Sequence, residues 1–401
     1  MKDWDSLNQN HKLKILITTQ TFPPNKDGIS EAASVLAAAF LKKGWEVEVA
    51  TEPFYPAREK LCWHGATLNE FHIMGQPHIL YPFKGEVYAY QQFLLSGKWD
   101  AIILQGYGWP LYAALPILHK LKSRKILVSH GYYALQWIPY NKFPFGLASL
   151  FNSIVLSLQM LTWIKKIDRV VYLSKRKDWK AFYDHLLASI INHSGIKVIP
   201  NGIDSEANEL VTDRFRDIYK ISKDSFLFLC VANYSRRKDQ GFAARAFRKA
   251  GIPNATLVFV GSDFNEWSDK FQREDAKSLH EHPKGRIIWL EKLDRESTLA
   301  AFAECNAFVL SSDHEAQPIA LLEAMRESKP WIARDAGCIS EMPGGVCVYS
   351  ESEMVEAMGK IFCDREYRET LGRAGRSAIE RLYNLESYNY SYVNLAKEIT
   401  S

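Results

Sequence analysis

The 401-residue chain has little of what several common chemistries require. Its six cysteines (Cys62, Cys230, Cys305, Cys338, Cys347 and Cys363) are scattered, with no C-x-x-C pair among them. Several lie in apolar runs, which reads as buried free thiols in a reducing compartment and argues against a zinc site. No H-E-x-x-H occurs. A dinucleotide fold needs G-x-G-x-x-G after its first strand, and Thr18-Thr19-Gln20-Thr21-Phe22 stands there instead, which argues against an NAD-dependent enzyme. The one Asp-x-Asp, Asp3-Trp4-Asp5, lies in the N-terminal tail and is not placed to hold a metal-bound diphosphate. A net charge of +4 is too small for this length to argue for nucleic acid. The segment Leu150–Trp163 is rich in Leu, Phe and Ile but is short and interrupted by Asn152, Ser153, Ser157 and Gln159, so it does not read as a membrane span. The N-terminus is polar and lacks a signal-peptide core, and the expected location is the cytoplasm.

What is present points to a globular α/β protein. The apolar fraction, 47%, is ordinary, and the length exceeds one hydrophobic core, so two domains are expected. Lys14–Thr18 reads as a strand, followed by the loop Phe22-Pro23-Pro24-Asn25-Lys26-Asp27-Gly28. A helix is predicted from about Ser30, with Ser30 as its cap, to Lys43, and Glu46–Ala50 is the next strand. This strand–helix–strand spacing recurs. Ala101–Leu104, Lys125–Ser129, Arg169–Leu173 and Lys197–Ile199 are strands, with helices predicted over Leu111–Lys122 and from about Arg176. A second set begins at Phe226–Ala232 and continues through Thr256–Val260, Ile287–Leu290, Ala307–Leu310, Trp331–Ala333 and Val346–Tyr349. Between these strands lie helices Gln240–Ala250, Arg295–Ala303 and Pro318–Ser328. Two successive doubly wound domains follow, with the break near residues 200–215. Ligands of such sheets bind beyond the carboxyl ends of the strands, and the cleft between two facing domains is the default site.

The segment Ser311-Ser312-Asp313-His314-Glu315-Ala316-Gln317-Pro318-Ile319-Ala320-Leu321-Leu322-Glu323-Ala324-Met325 carries the most chemistry. Pro318 suits the first helical position, where a missing N–H costs nothing. Glu315 then lies in a strand-to-helix loop and Glu323 within the helix, about 12 Å apart along the axis at ~1.5 Å per residue. That is roughly the span from sugar to ribose in a nucleotide sugar, and free N–H groups at the helix start can hold the intervening diphosphate. The alternative is an exposed helix on which Glu323 pairs with Arg326. Two carboxylates so far apart do not fit a glycoside hydrolase, whose pair flanks one bond at about 5–10 Å.

This segment resembles the Glu-x7-Glu motif of the retaining glycosyltransferases of family 4, with the GT-B fold. The resemblance extends to Val231-Ala232-Asn233-Tyr234-Ser235-Arg236-Arg237-Lys238-Asp239, where the family clamps the donor diphosphate with an Arg and a Lys. Lys238 matches the Lys. Asn233 stands where the Arg is usual, so that part of the clamp is absent or is supplied by Arg236 or Arg237. His130-Gly131 after the strand Lys125–Ser129 matches a common His-Gly, and Gly28 matches one of two usual glycines. Gly337-Cys338-Ile339-Ser340-Glu341 is similar to the family's Gly-Gly-x-x-Glu turn, with Cys338 in place of the second Gly. Gln317-Pro318 replaces the usual Phe-Gly. Asn201-Gly202-Ile203-Asp204 matches the interdomain turn, and Trp289 falls near the base or in the core.

The resemblance implies a GT-B architecture of two Rossmann-like domains facing a central cleft. Residues 1–200 would bind the acceptor and 201–385 the nucleotide sugar, while the terminal helix 386–401 would cross back to the first domain. It implies retaining, metal-independent sugar transfer from a UDP- or GDP-linked donor, which is a substrate; no cofactor and no metal site are implied. By resemblance Glu315, Lys238 and His130 are catalytic. Gly28, Asn233, Arg237, Gln317, Ile319 and Glu323 bind the donor, with Glu315 on the sugar and Glu323 on the ribose. Lys120–Lys180 holds about a dozen Lys and Arg, few acids, and the aromatics Trp137, Tyr140, Phe143, Phe145, Phe151 and Trp163. A basic, aromatic face suits the anionic inner leaflet, with a lipid-linked glycan, polysaccharide or lipopolysaccharide acceptor and no nucleic acid. The other reading of that segment is a solvated basic helix with buried aromatics. A nucleotide-sugar epimerase of the same architecture and a non-catalytic sugar-binding scaffold remain the alternatives for the whole chain.

Overall fold

The computed structural model describes residues 12–25, 27–55, 57–58, 60–75, 83–132, 145–177, 182–191, 193–206, 214–281 and 284–401. The chain forms two compact units, Met1–Ile199 with Tyr388–Ser401, and Pro200–Ser387.

In the first unit the strands are β1 (Lys14–Thr18), β2 (Glu46–Thr51), β3 (Cys62–Trp63), β4 (Ala66–Glu70), β5 (Ile73–Met74), β6 (Lys84–Gly85), β7 (Ala101–Gln105), β8 (Arg124–Ser129), β9 (Arg169–Tyr172) and β10 (Ile196–Val198). Eight of them form one sheet in the order β10-β9-β8-β7-β1-β2-β4-β3, parallel except for the β3–β4 pair. Its central strands are near-continuous apolar runs because both faces are covered: every residue of Ala101–Gln105 is buried. The helices are α1 (Gly28–Lys42), α2 (Val87–Ser96), α3 (Trp109–Ala114), α4 (Phe145–Trp163) and α5 (Tyr183–Ile190). Helix α1 starts earlier than its sequence suggests. Asp27 is the cap, accepting from the N–H groups of Ile29 and Ser30, while the Ser30 hydroxyl turns back to the Asn25 carbonyl. The helix expected over Leu111–Lys122 is α3 followed by a 3₁₀ stretch, Leu115–Lys120, with Pro116 unable to donate in the α-helical ladder. Helix α5 begins at Tyr183 and not near Arg176, and residues 178–181 lie outside the described residues.

The second unit holds β11 (Phe226–Val231), β12 (Ala255–Gly261), β13 (Arg286–Glu291), β14 (Ala307–Leu310), β15 (Trp331–Arg334) and β16 (Gly345–Val348). Its helices are α6 (Phe215–Ile218), α7 (Gln240–Ala250), α8 (Glu266–Glu281), α9 (Arg295–Glu304), α10 (Ile319–Arg326), α11 (Glu351–Cys363) and α12 (Arg365–Arg381). The sheet is wholly parallel in the order β13-β12-β11-β14-β15-β16, so strand order reverses between β11 and β14. Alternate residues of each strand feed opposite cores. Leu227, Leu229, Phe308 and Leu310 pack with Leu321, Leu322 and Met325 of α10 on one face. Phe226, Phe228, Cys230, Ala307 and Val309 pack with Phe247 of α7 and Met358 of α11 on the other. The last helix, α13 (Leu385–Thr400), leaves the second unit and belongs to the first from Tyr388 on, where Glu398 pairs with Arg169 and Lys197. No helix among the described residues is long and apolar enough to cross a membrane.

Arg248 shows what this packing demands. It is buried on α7, binds both carboxylate oxygens of Asp275 on α8 at 2.7 and 3.2 Å, and donates to the Gly285 carbonyl at 2.7 Å. Arg248→Met leaves Asp275 with no cation, so urea unfolding should lose about 3 kcal/mol. Arg365→Ala, at an exposed pair with Glu369, should leave the urea midpoint essentially unchanged.

Candidate functional site

In a doubly wound sheet the two loops that leave the reversal point diverge and open a crevice. In the second unit these are the loops after β11 and β14, which carry Asn233–Asp239 and Ser311–Pro318. They are fastened to each other. The Asp313 N–H donates to the Arg237 carbonyl at 3.0 Å, and the Ser311 hydroxyl to the Lys238 carbonyl at 2.9 Å. Arg334, at the end of β15, bridges them by donating to the Ser311 carbonyl and the Asp239 carboxylate, both at 3.2 Å. Asp239 holds a left-handed backbone, φ 42°, that turns the chain from Lys238 into α7. The Lys238 ammonium donates to the Glu315 carboxylate across the gap. Glu315, Gln317 and Glu323 are all buried.

Pro318 occupies the capping position of α10 and not its first turn, and no side chain caps the helix. The ~12 Å axial rise expected between the two glutamates therefore does not hold: only Ile319–Glu323 is helical, a rise of about 6 Å, and Glu315 lies in the loop before it. Among the described residues no side chain accepts from the first-turn N–H groups, Ile319 included, while Leu321 N–H bonds to the Pro318 carbonyl at 3.2 Å; the helix dipole favours an anion there. Behind the loop, Gly337 (φ 57°) lies so close to the Glu315 and Ala316 carbonyls that a Cβ would overlap both, and Cys338 N–H donates to Ala316 at 2.9 Å. The close approach expected of this turn thus falls on Gly337, while Cys338 is buried against Met342. The Gln317 side-chain oxygen accepts from the Asn201 N–H at 2.6 Å, which ties the Asn201–Asp204 turn to the glutamate loop. Asn233, Arg236 and Arg237 are exposed, and among the described residues the two arginines have no ion pair. Ser312 Oγ is buried without a hydrogen-bond partner among the described residues. Trp289 stacks on Phe259 at 4.2 Å, half-buried on the edge strand.

Glu323 does not pair with Arg326, which turns to Glu327 at 3.0 Å. Its partner is Arg295, the first residue of α9. Sequence reasoning missed Arg295: 28 positions separate the pair, and no helical or strand period links them.

Gly28 and His130 lie in the first unit, Gly28 on the loop after β1 and His130 after β8. Gly28 opens α1 with free space where a Cβ would stand. His130 is half-buried, and its Nε2 donates to Gln105 Oε1 at 2.7 Å, leaving Nδ1 as an acceptor. Burial pushes the imidazole down to about 4, so it is neutral at pH 7. Next to it, Ser129 and Tyr107 donate to the buried Asp184 carboxylate at 2.5 and 2.6 Å, and Gly131 N–H donates to Ser129 Oγ at 3.2 Å. Burial pushes Asp184 up to about 6, against those hydrogen bonds. Of the aromatics expected on a basic face, Trp163 is buried in the core and Phe151 is exposed. Trp137, Tyr140, Phe143 and the Phe145 side chain lie outside the described residues.

Two family models match. "Glycosyltransferase Family 4" covers residues 27–207 and "Glycosyl transferases group 1" residues 211–378. A curated relative, an uncharacterised glycosyltransferase of Methanocaldococcus jannaschii, is 23% identical over 64% of this chain, and the match spans 61% of that relative's length. Among solved structures, sucrose-phosphate synthase from Thermosynechococcus elongatus superposes with a TM-score of 0.76 at 17% identity, covering 96% of this chain and 99% of that one. The Anabaena protein HepE, solved in complex with UDP and glucose, gives 0.70 at 16% identity over 96% and 100%.

Gly337→Ala is strained at its φ and collides with the glutamate loop, and should cost on the order of 2 kcal/mol in thermal or urea unfolding. Between pH 6.5 and 4 the unfolded chain protonates His130 and the folded chain does not, so this group lowers stability as pH falls. Between pH 6 and 3.8 the folded chain holds a proton on Asp184 that the unfolded chain releases, so that group raises stability as pH falls. Relative to wild type, His130→Gln should gain stability from pH 6.5 to 4.5 and Asp184→Asn should lose it, read from urea midpoints at each pH.

Proposed function

The chain belongs to the family 4 glycosyltransferases of the GT-B fold, and from that membership we propose a retaining, metal-independent transfer of a sugar from a UDP- or GDP-linked donor to a lipid-linked or polysaccharide acceptor in cell-surface glycan synthesis. The observation that carries the reading is the pairing of Lys238 with Glu315 beside the uncapped start of α10, at the strand reversal of the second unit. The HepE complex with UDP and glucose supports the donor class.

In this reading the donor diphosphate takes over Lys238 and the first-turn N–H groups of α10. Glu315 is then free to accept from hydroxyls of the donor sugar, and Glu323 accepts from the ribose. The bond between the anomeric carbon and the diphosphate oxygen breaks, and its electron pair stays on that oxygen. The acceptor hydroxyl oxygen bonds to the anomeric carbon from the same face and passes its proton to the departing diphosphate. Charge therefore grows on the diphosphate, where Lys238 and the helix start are already fixed and need no reorganisation. Arg236 and Arg237, both exposed, supply the cation that Asn233 does not. In the first unit, neutral His130 has Nδ1 to offer as an acceptor to an acceptor-substrate hydroxyl.

The acceptor side is proposed to work at an anionic inner leaflet in the cytoplasm. Phe151, Ile154 and Leu158 are exposed at i, i+3 and i+7 of α4, and exposed Lys165 and Lys166 follow the helix. An apolar stripe next to lysines suits a lipid surface.

Lys238→Ala and Glu315→Ala should each lower turnover by about 10²–10⁴-fold, with the wild-type product keeping the donor's anomeric configuration by NMR. A fully active Glu315→Ala would refute the site assignment. Product formed without any acceptor would indicate an epimerase, and donor binding without turnover a scaffold. Wild type should float with anionic vesicles at low salt, and Phe151→Ser/Leu158→Ser should not; absence of wild-type binding would sink the membrane reading.

A further inference from the structure

Glu323 is buried within α10, and a buried carboxylate needs a cation or several hydrogen bonds to offset lost hydration. Its own helix does not supply one, because Arg326 is turned to Glu327. Among the described residues its side-chain partner is Arg295. Arg295 is oddly placed for helix stability: a guanidinium in the first turn of α9 opposes the helix dipole. Nor does it serve its neighbour Asp294, whose carboxylate caps the Ser297 N–H at 2.7 Å. The pairing with Glu323 accounts for its position. The two groups differ sharply in exposure, 61% for the Arg295 side chain and 7% for Glu323, so the carboxylate lies at the floor and the guanidinium at the rim. The guanidinium contacts Oε1 of the carboxylate. A ribose offers vicinal hydroxyl donors suited to a carboxylate held in one orientation.

We infer that Arg295 is a positioning residue for nucleoside recognition, holding the Glu323 carboxylate in the orientation that accepts the ribose 2′,3′-diol of the donor. This rests on the reading of Glu323 as the ribose-binding group. It makes Arg295 a determinant of ribose over sugars that lack the diol. The guanidinium fork fixes a carboxylate in a plane, which a lysine ammonium does not, so Lys should substitute only in part.

The test is calorimetric binding of UDP and GDP, and of their 2′,3′-dideoxy counterparts, to wild type, Arg295→Ala, Arg295→Lys, Glu323→Gln and the Arg295→Ala/Glu323→Gln double variant. Thermal unfolding confirms that each is folded. Arg295→Ala should weaken the ribonucleotide about tenfold and leave the dideoxy ligand unchanged. Arg295→Lys should recover part of the loss. The double variant should be no weaker than Glu323→Gln alone, because both act through one contact. Equal losses on both ligands would place Arg295 on the base or diphosphate and overturn the inference. Unchanged affinity would reduce the pair to a surface contact, and tighter binding would make Arg295 a competitor of the ribose; either overturns it. If wild type itself does not distinguish ribo from dideoxy, the ribose role of Glu323 fails, whatever Arg295 does. Binding of neither nucleotide would remove the donor-site reading on which both depend.

Discussion

The contact between Lys238 and Glu315 is the charged constraint that joins the two loops at the strand reversal of the second unit. A strand reversal in a parallel sheet splays two loops apart, and loops alone do not hold charged groups in register. Here they are fastened by backbone bonds at Asp313 and Ser311, by the Arg334 bridge, and by the close seat of Gly337 beneath the glutamate loop. The ion pair closes the gap. Both members are largely removed from water, so desolvation offsets much of their attraction. Such a pair contributes little to stability, yet a ligand with an anion for the lysine and hydroxyls for the glutamate can replace each partner without leaving a bare charge. The arrangement suits the anion and hydroxyls of the proposed donor more than it fastens the fold.

The first unit prepares its polar groups differently. His130 is kept neutral by burial and is oriented by Gln105, so it can act as a hydrogen-bond acceptor without carrying charge at pH 7. The Asp184 cluster lies under the same strand end, and its bond to Ser129 reaches the Gly131 N–H that turns the chain after His130. Two groups with opposed proton preferences thus sit at one turn, His130 favouring its neutral form and Asp184 its protonated form.

The sequence made the sheet strands and the two glutamates legible because both depend on local spacing. Apolar runs such as Phe226–Cys230 are buried on both faces, and Glu315 and Glu323 flank a strand-to-helix loop whose type is set by Leu310 before it and Pro318 within it. What it hid is long-range. Gln317 meets Asn201 from 116 positions away, Arg295 meets Glu323 across two helices, and Asp184 meets Ser129 and Tyr107 from α5. None of these pairs has a period. Ser30 was a plausible cap by type, but Asp27 reaches the free N–H groups first. For Trp163 composition left two readings, a basic aromatic surface or a buried aromatic, and it packs in the core where α4 ends. The two-residue strands β3, β5 and β6 are too short to show an alternating pattern.

The central claim is that the loops after β11 and β14 bind the diphosphate and ribose of a nucleotide sugar without a metal. It is tested most directly by calorimetric titration of wild-type protein with UDP, GDP and ADP, and with their common sugar conjugates, in EDTA. The account predicts that UDP or GDP binds with micromolar affinity and that the affinity does not change when magnesium replaces EDTA. Binding that appears only with magnesium, or no binding of any nucleotide, would contradict it.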